Sequence, residues 1–395
     1  MSLQQSTAVS LRNGHADQTS LAELGLLFLR LGATAFGGPL AHIAMMQQEV
    51  VLRRRWLSEE RFLDLLSATN LIPGPNSTEL AIHIGWERRR WAGLFVAGLA
   101  FILPAMCITG VLAWAYLRYA ALPGLPGLLY GVKPVIVAIV SRAIGSLAPK
   151  AARTATLRGL GLLCVALAAL NVDELLVLFG AGALAVLAGR ISSNQHPPGA
   201  GKLLQLPPLL PVAAVGAFSA GAATLPGIFG VFLKIGSVLF GSGYVLIAFL
   251  RTDLVQRLHW LNEAQLLDAV AVGQITPGPV FTTATFIGYL LAGPSGALIA
   301  TAGIFLPAFA FVALSGPLIP KLRASPSASA FLDGVNVASL ALMALVTFEL
   351  ARSTLTDAPA VVIGLVSGVL LSLCQVNASW LVVGGGMLGM LIHYR

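Results

Sequence analysis

Charge is what this chain has least of. Only 10% of its 395 residues are Asp, Glu, Lys or Arg, whereas soluble domains carry about a quarter. From Ala269 to Pro320 there is no charged side chain at all. A spanning helix needs about 20 apolar residues, so this run alone holds more than one membrane-buried segment. The chain reads as an integral membrane protein. Cysteine is scarce as well: Cys107, Cys164 and Cys374 stand singly in apolar runs, without metal or redox spacing, and are expected to pack in the core. No Walker-type phosphate loop is present, which argues against ATP drive. No nucleophile with a partnered base and no metal-ligand cluster occurs either, so neither an enzymatic role nor a cofactor is read. Acidic residues are outnumbered, 16 against 24 Lys and Arg. The basic ones lie in short loops between apolar segments, which fits the positive bias of cytoplasmic loops and speaks against nucleic acid.

What the chain does have is a helix break made twice. Asn70-Leu71-Ile72-Pro73-Gly74-Pro75-Asn76-Ser77-Thr78-Glu79 cannot continue a helix through its Pro-Gly-Pro, because each proline removes a donor and glycine frees the backbone. Apolar sequence flanks the break, and polar side chains follow it. Gln274-Ile275-Thr276-Pro277-Gly278-Pro279-Val280-Phe281-Thr282-Thr283 repeats the pattern. Matching breaks in the two halves of an apolar protein point to a transporter's binding site. Other matches keep one register: Phe28-Leu29-Arg30-Leu31-Gly32 with Phe232-Leu233-Lys234-Ile235-Gly236, Phe36-Gly37-Gly38 with Phe240-Gly241-Ser242, Trp56-Leu57 with Trp260-Leu261, and Asp64 with Asp268. After a one-residue gap, Leu103-Pro104-Ala105 matches Leu306-Pro307-Ala308. The chain is an internal duplication.

The expected organisation is a disordered tail (1–20), a first repeat (21–190), a linker holding a further candidate membrane segment at 209–223 (191–223), and a second repeat (224–395). Fold class is all-α polytopic membrane protein, two homologous helical halves, inverted if 209–223 crosses, with about 10–13 membrane segments by length. Arg53-Arg54-Arg55 and Arg88-Arg89-Arg90 bracket residues 58–86, and by the positive-inside rule that segment enters and leaves by one face, as a re-entrant hairpin. The first apolar segment, Leu21 to Met46, carries Phe36-Gly37-Gly38-Pro39 in its middle and reads as bent or discontinuous. If it spans once, the N-terminus lies outside; a bent, non-spanning segment removes that conflict.

These residues resemble the chromate ion transporter family in its two-domain long form. The resemblance covers nearly the whole chain and rests on Phe36-Gly37-Gly38-Pro39-Leu40-Ala41-His42, on Asn70 to Glu79, and on the weaker copies in the second half. It implies a multi-pass protein of the bacterial inner membrane that exports chromate and confers resistance, driven by the membrane potential or a proton gradient. Sulfate is linked to some relatives, so uptake or exchange of sulfate or another oxyanion is the nearest alternative. A passive anion channel is the alternative from another class.

A tetrahedral dianion at membrane depth needs positive potential and donors for four oxygens. Helices restarting after Pro-Gly-Pro offer unpaired N–H groups and a positive dipole end. The candidate binding residues are therefore Asn70, Pro73, Gly74, Pro75, Asn76, Ser77 and Thr78, with Gln274, Pro277, Gly278, Pro279, Thr282 and Thr283. Gly37, Gly38 and Gly241 join them at the bend of the first segment and its copy. Arg30 and Lys234 sit at one place in the two repeats inside apolar helices. They could supply the two charges a dianion requires, or snorkel to the interface. Glu79 is a candidate for proton coupling, because a carboxylate beside an anion must be protonated; a salt bridge is the plainer reading. His42 is a second candidate, a packed histidine being the plainer one, and His83 and the aspartates Asp64 and Asp268 read as structural. Expected partners are chromate or a sulfate-like oxyanion, the bilayer, protons as coupling ion, and a second copy of the chain.

Overall fold

The computed structural model describes residues 19–35, 38–119, 124–170, 172–193, 222–240, 245–323, 325–374, 376 and 378–393. The tail 1–18, Gly37, Gly241 and the linker 194–221, with nearly all of the 209–223 segment, lie outside the described residues. Every regular element among the described residues is helical. The first half holds α1 (Leu21–Thr34), α2 (Gly38–Gln47), α3 (Glu59–Thr69), α4 (Asn76–Arg118), α5 (Gly124–Ala151), α6 (Ala155–Ala169) and α7 (Glu174–Ser193). The second holds α8 (Leu225–Val238), α9 (Leu246–Leu250), α10 (Glu263–Ile275), α11 (Thr283–Arg323), α12 (Pro326–Thr354), α13 (Ala358–Leu373) and α14 (Ala378–His393).

The repeat is visible in local devices as well as in sequence. Ser20 caps α1 by accepting from the Glu23 N–H, and Thr224 caps α8 in the same way from Gly227. Ser58 and Asn262 cap α3 and α10. Such caps satisfy donors that a helix start leaves unpaired. Both α2 and α9 run on into a π-helical turn, Gln48–Arg53 and Arg251–Arg257. Each turn is followed by a residue at φ 52, Arg55 and His259.

α1 does not span. At 1.5 Å per residue its 14 residues reach about 21 Å, short of the roughly 30 Å hydrocarbon core. The chain then turns extended at Ala35 and comes back. Arg54 lies 3.7 Å from Glu23 at the start of α1. Arg88 donates to the Thr19 hydroxyl and to the Trp56 carbonyl. Entry and exit share one end, so the bent, non-spanning form holds and the orientation conflict disappears. The segment around Pro-Gly-Pro folds likewise: Arg61 near the start of α3 pairs with Glu87, which puts the break at the tip and both arms' outer ends together. This is a re-entrant hairpin.

α4 and α11 each reverse direction once. Arg89 and Arg90 leave helical geometry in α4, as Ala292 and Gly293 do in α11. The two arms then pack so closely that a Cβ on Gly85 or Gly93, or on Gly288 or Gly296, would strike the facing backbone. Among the described residues four helical stretches are long and apolar enough to cross a membrane: Asn76–Arg118 and Val280–Ser315, each containing one of these reversals, with Gly127–Ala151 and Pro326–Thr354. α5 packs along α13 and α14, α12 along α6 and α7, and α5 and α12 on each other. Tyr130 near the start of α5 bonds Asp357 beyond the end of α12, and Arg153 beyond the end of α5 pairs with Asp333 near the start of α12. Equivalent helices therefore run antiparallel, and the repeat is inverted. That is the relation a crossing at 209–223 would produce. One expectation needs correcting: Cys164 is buried, but Cys107 and Cys374 are exposed, because their helix positions face outward rather than into the core.

Candidate functional site

Both Pro-Gly-Pro loops lie on the seam between the halves, each fastened to the opposite half. The Gly74 N–H donates to Leu239 O (2.8 Å), and the Gly278 N–H donates to Ala35 O (3.0 Å). Leu239 and Ala35 are the extended residues that end α8 and α1. Break meets break, crosswise and twice. The glycines are required: φ is +139° at Gly74 and +87° at Gly278, a region that L side chains avoid. A Cβ at Gly278 would come within 2.8 Å of both Gly32 O and the Ala105 methyl, and one at Gly74 would collide with Glu79 Oε1.

The helices that restart there are uncapped by any side chain, with proline in the cap position of each, Pro75 and Pro279. Pro75 O takes the amides of Thr78 and Glu79, which leaves the Asn76 and Ser77 amides without a backbone acceptor among the described residues, as first-turn donors are. In the second half a short 3₁₀ turn, Val280–Thr282, precedes α11, and Pro279 O takes the Thr282 amide. The expected side-chain donors behave differently from the amides. Thr282 and Thr283 turn their hydroxyls onto their own loop, to Pro279 O and Val280 O, and Thr109 also reaches Thr282 at 3.3 Å. Asn76 donates to the Asn70 side chain (2.8 Å). Thr78 Oγ1 and Gln274 Nε2 are left without a partner among the described residues. Pro73 and Asn76 are half-buried and Asn70 is exposed, whereas Pro277, Gly278 and Pro279 are buried. The first loop is thus the more accessible one.

His42 is wired into this seam. Its Nε2 lies 3.0 Å from Ala35 O, which is the same carbonyl that receives Gly278, and its Nδ1 lies 3.2 Å from Ser77 Oγ. A carbonyl only accepts, so Nε2 carries the proton and Nδ1 of the neutral ring accepts from Ser77. The plainer reading of a packed, bonded histidine holds, in a place that ties α2 to both breaks. Gly38, at φ 76, begins α2 beside it. For Glu79 the salt-bridge reading fails: the side chain is completely buried, and neither oxygen has a hydrogen-bond or ion-pair partner among the described residues.

A family model described as chromate transporter matches residues 22–187 and again 227–390. The chain belongs to the chromate transporter family. It is 33% identical over 377 residues to a protein from Cupriavidus metallidurans named as a chromate transport protein, covering 95% of this chain and 94% of that one. A protein from Synechococcus elongatus named as a probable chromate transport protein is 34% identical, with 88% and 89% covered. A chromate transport protein from Pseudomonas aeruginosa is 32% identical, with 88% and 85% covered. No solved structure matches the chain.

In this member of the family the two repeat-related cations are not equivalent. Lys234 is buried and held by both oxygens of Asp253, at 2.8 and 2.9 Å, so its charge is neutralised. Arg30 is exposed and forms no ion pair among the described residues. Lys133 stands inside the apolar run of α5. It lies 3.3 Å from the buried Asp268, which also accepts from Tyr116 (2.9 Å). Its signal was there to read: a cation inside a candidate span is a functional candidate by default.

Proposed function

We propose that this chain is a secondary transporter that exports chromate across the bacterial inner membrane, holding the oxyanion between the two uncapped helix starts. The observation that carries the reading is the pair of crossed hydrogen bonds, Gly74 to Leu239 and Gly278 to Ala35. They hold both positive helix ends on the seam of an inverted repeat, where alternating access needs a site. Each end offers the equivalent of about half a positive charge, and the free amides of Asn76 and Ser77 supply donors shaped for an oxyanion. Chromate enters from the names of the relatives, each of which spans most of this chain. The arginine-rich hairpin ends, Arg53 to Arg55 and Arg88 to Arg90, face the cytoplasm by the positive-inside rule. Glu79, buried directly beneath Gly74, is the proton-coupling group. Protonated, it leaves the anion's field undisturbed; ionised, it repels the anion from the loop.

Chromate flux in proteoliposomes under an imposed pH gradient and potential tests this. Wild type moves chromate, as does Asn76→Ala, which keeps the backbone amide, while Asn76→Pro, still folded, removes that donor at a helix start that tolerates proline and loses the flux. Undiminished flux in Asn76→Pro would sink the paired-end site and move attention to Arg30 and Lys234. Labelled sulfate carried in counterflow, with no chromate moved, would reassign the substrate to sulfate.

A further inference from the structure

We propose that the first re-entrant hairpin contains a one-sided proton path, running from Glu79 through His83 to Glu87 at the arginine-rich face. The proposal rests on the reading of Glu79 as the coupling group and adds the route by which its proton comes and goes. Glu79, His83 and Glu87 are spaced by four residues along the first arm of α4. They therefore form one stripe, with Cβ atoms about 5–6 Å apart at each step, a gap that a single water bridges. Glu79 is 0% and His83 4% exposed. Both Glu79 oxygens, His83 Nε2 and the adjoining Thr78 Oγ1 are buried without a hydrogen-bond partner among the described residues. Unpaired buried polar atoms are costly. Four of them on one short arm, three in line with the break, are what a path for a proton requires and a packed core avoids.

The surroundings give the path its direction. At the outer end Glu87 is half-buried and paired with Arg61 of α3, and Arg61 lies within electrostatic reach of His83. α3 also carries Asp64 one turn further in. α2 brings His42, engaged with Ser77 and Ala35. Glu23 and Arg30 of α1 lie on its exposed side. The second arm has no charged side chain between Ala92 and Leu117, and α11 has none before Lys321. Among the described residues of these two elements, no carboxylate or imidazole continues the stripe beyond the tip toward the other face. The second half lacks it altogether: Thr283 stands for Glu79, Ile287 for His83, and leucine, Leu290 or Leu291, for Glu87.

One proton moves per passage. The Glu79 acid gives its proton to the neutral His83 ring and becomes a carboxylate. The imidazolium passes a proton to the Glu87 carboxylate, which releases it to water at the face. The reverse sequence recharges Glu79.

The test uses full-length protein in proteoliposomes containing a trapped pH dye. It compares wild type, His83→Ile (the residue of the second half), His83→Gln and Glu79→Gln. Two quantities are read: chromate counterflow without a pH gradient, and chromate movement with proton movement under one. Both His83 variants should keep counterflow and lose pH-driven chromate and proton flux at least tenfold, with the pH profile flattened. His83→Gln guards against a misfolded isoleucine variant. Wild-type proton flux in both His83 variants, with Glu79→Gln uncoupled, would overturn the relay and leave Glu79 standing. Unaltered pH-driven flux in Glu79→Gln would overturn the coupling reading itself and the path with it.

Discussion

Glu49 and Asp253 stand at the same place in the two repeats, yet they hold different cations. Asp253 takes Lys234 of its own hairpin, deep in the protein, with Arg257 at 3.7 Å. Glu49 takes Arg53 and Arg54 at the hairpin's outer end, and Arg30, the counterpart of Lys234, is left exposed. Burial alone would raise the pKa of Glu49, but hydrogen bonds from Arg53 and Arg54 hold it below the ordinary carboxylate value. The residue that makes the difference is Arg54, where the second half has Leu258. Duplication has kept the backbone devices: caps, the φ 52 turns, Pro-Gly-Pro, and the reversal in α4 and α11. The polar chemistry has diverged. α10 packs on α11 as α3 packs on α4, and α10 meets α5 and α14 of the helical scaffold as well. One half has become the buried, neutralised support, and the other carries the open loop, the exposed arginine and the titratable stripe.

The largest test of this contrast is Asp253→Ala. It strands a buried lysine and is expected to cost about 3–5 kcal/mol, whereas Glu49→Ala leaves behind only Arg53 and Arg54, which can turn to water, and costs about 1 kcal/mol. Denaturant unfolding in detergent reads both, and equal losses would break the comparison. Next come the loop glycines. Gly278→Ala meets backbone as well as a disfavoured φ and should lose about 1–3 kcal/mol. Gly74→Ala bears a similar backbone strain, but its clash is with the flexible end of Glu79. It should therefore stay closer to wild-type stability while shifting the pH dependence of transport. At the arm reversals, Gly293→Ala forces a Cβ into φ 61 and should cost roughly 1 kcal/mol. Arg90→Ala at the equivalent bend changes no backbone requirement and gives up the contact with the Trp86 ring, worth about 0.5 kcal/mol; thermal melting should rank them in that order. The smallest effect sharpens the contrast most. With Arg54→Leu the first half acquires the second half's residue, and Glu49 should turn to Arg30. A double-mutant cycle on Arg30 and Glu49 should then show about 0.5–1 kcal/mol of coupling in that background and none in wild type.

Much of the fold was legible because its signals are local. Proline and glycine act on their own backbone, so Pro73-Gly74-Pro75 and Pro277-Gly278-Pro279 announce helix breaks wherever they occur. Arginine triplets on both sides of a short apolar segment imply that it returns to the face it left. Register matches between distant stretches show duplication without reference to any contact. Partner choice was not legible. Arg30 and Lys234 look alike in sequence, and only the placement of Arg54 decides which acid each can meet. Lys133 shows no partner in the sequence because Asp268 lies far away in the chain. Glu79 invited a salt bridge, since the basic residues near it in sequence give no hint that they point elsewhere.

By itself, then, the sequence determined a membrane-embedded duplication with uncapped helix starts at two breaks, since apolarity, proline and internal likeness act through neighbouring residues alone. Tertiary structure alone decided that the halves are antiparallel, that each break is fastened to the other half by Gly74 and Gly278, and that one cation is neutralised while its twin is exposed. Those outcomes depend on which distant groups share a desolvated space, where an unpaired charge or amide is costly enough to choose among partners.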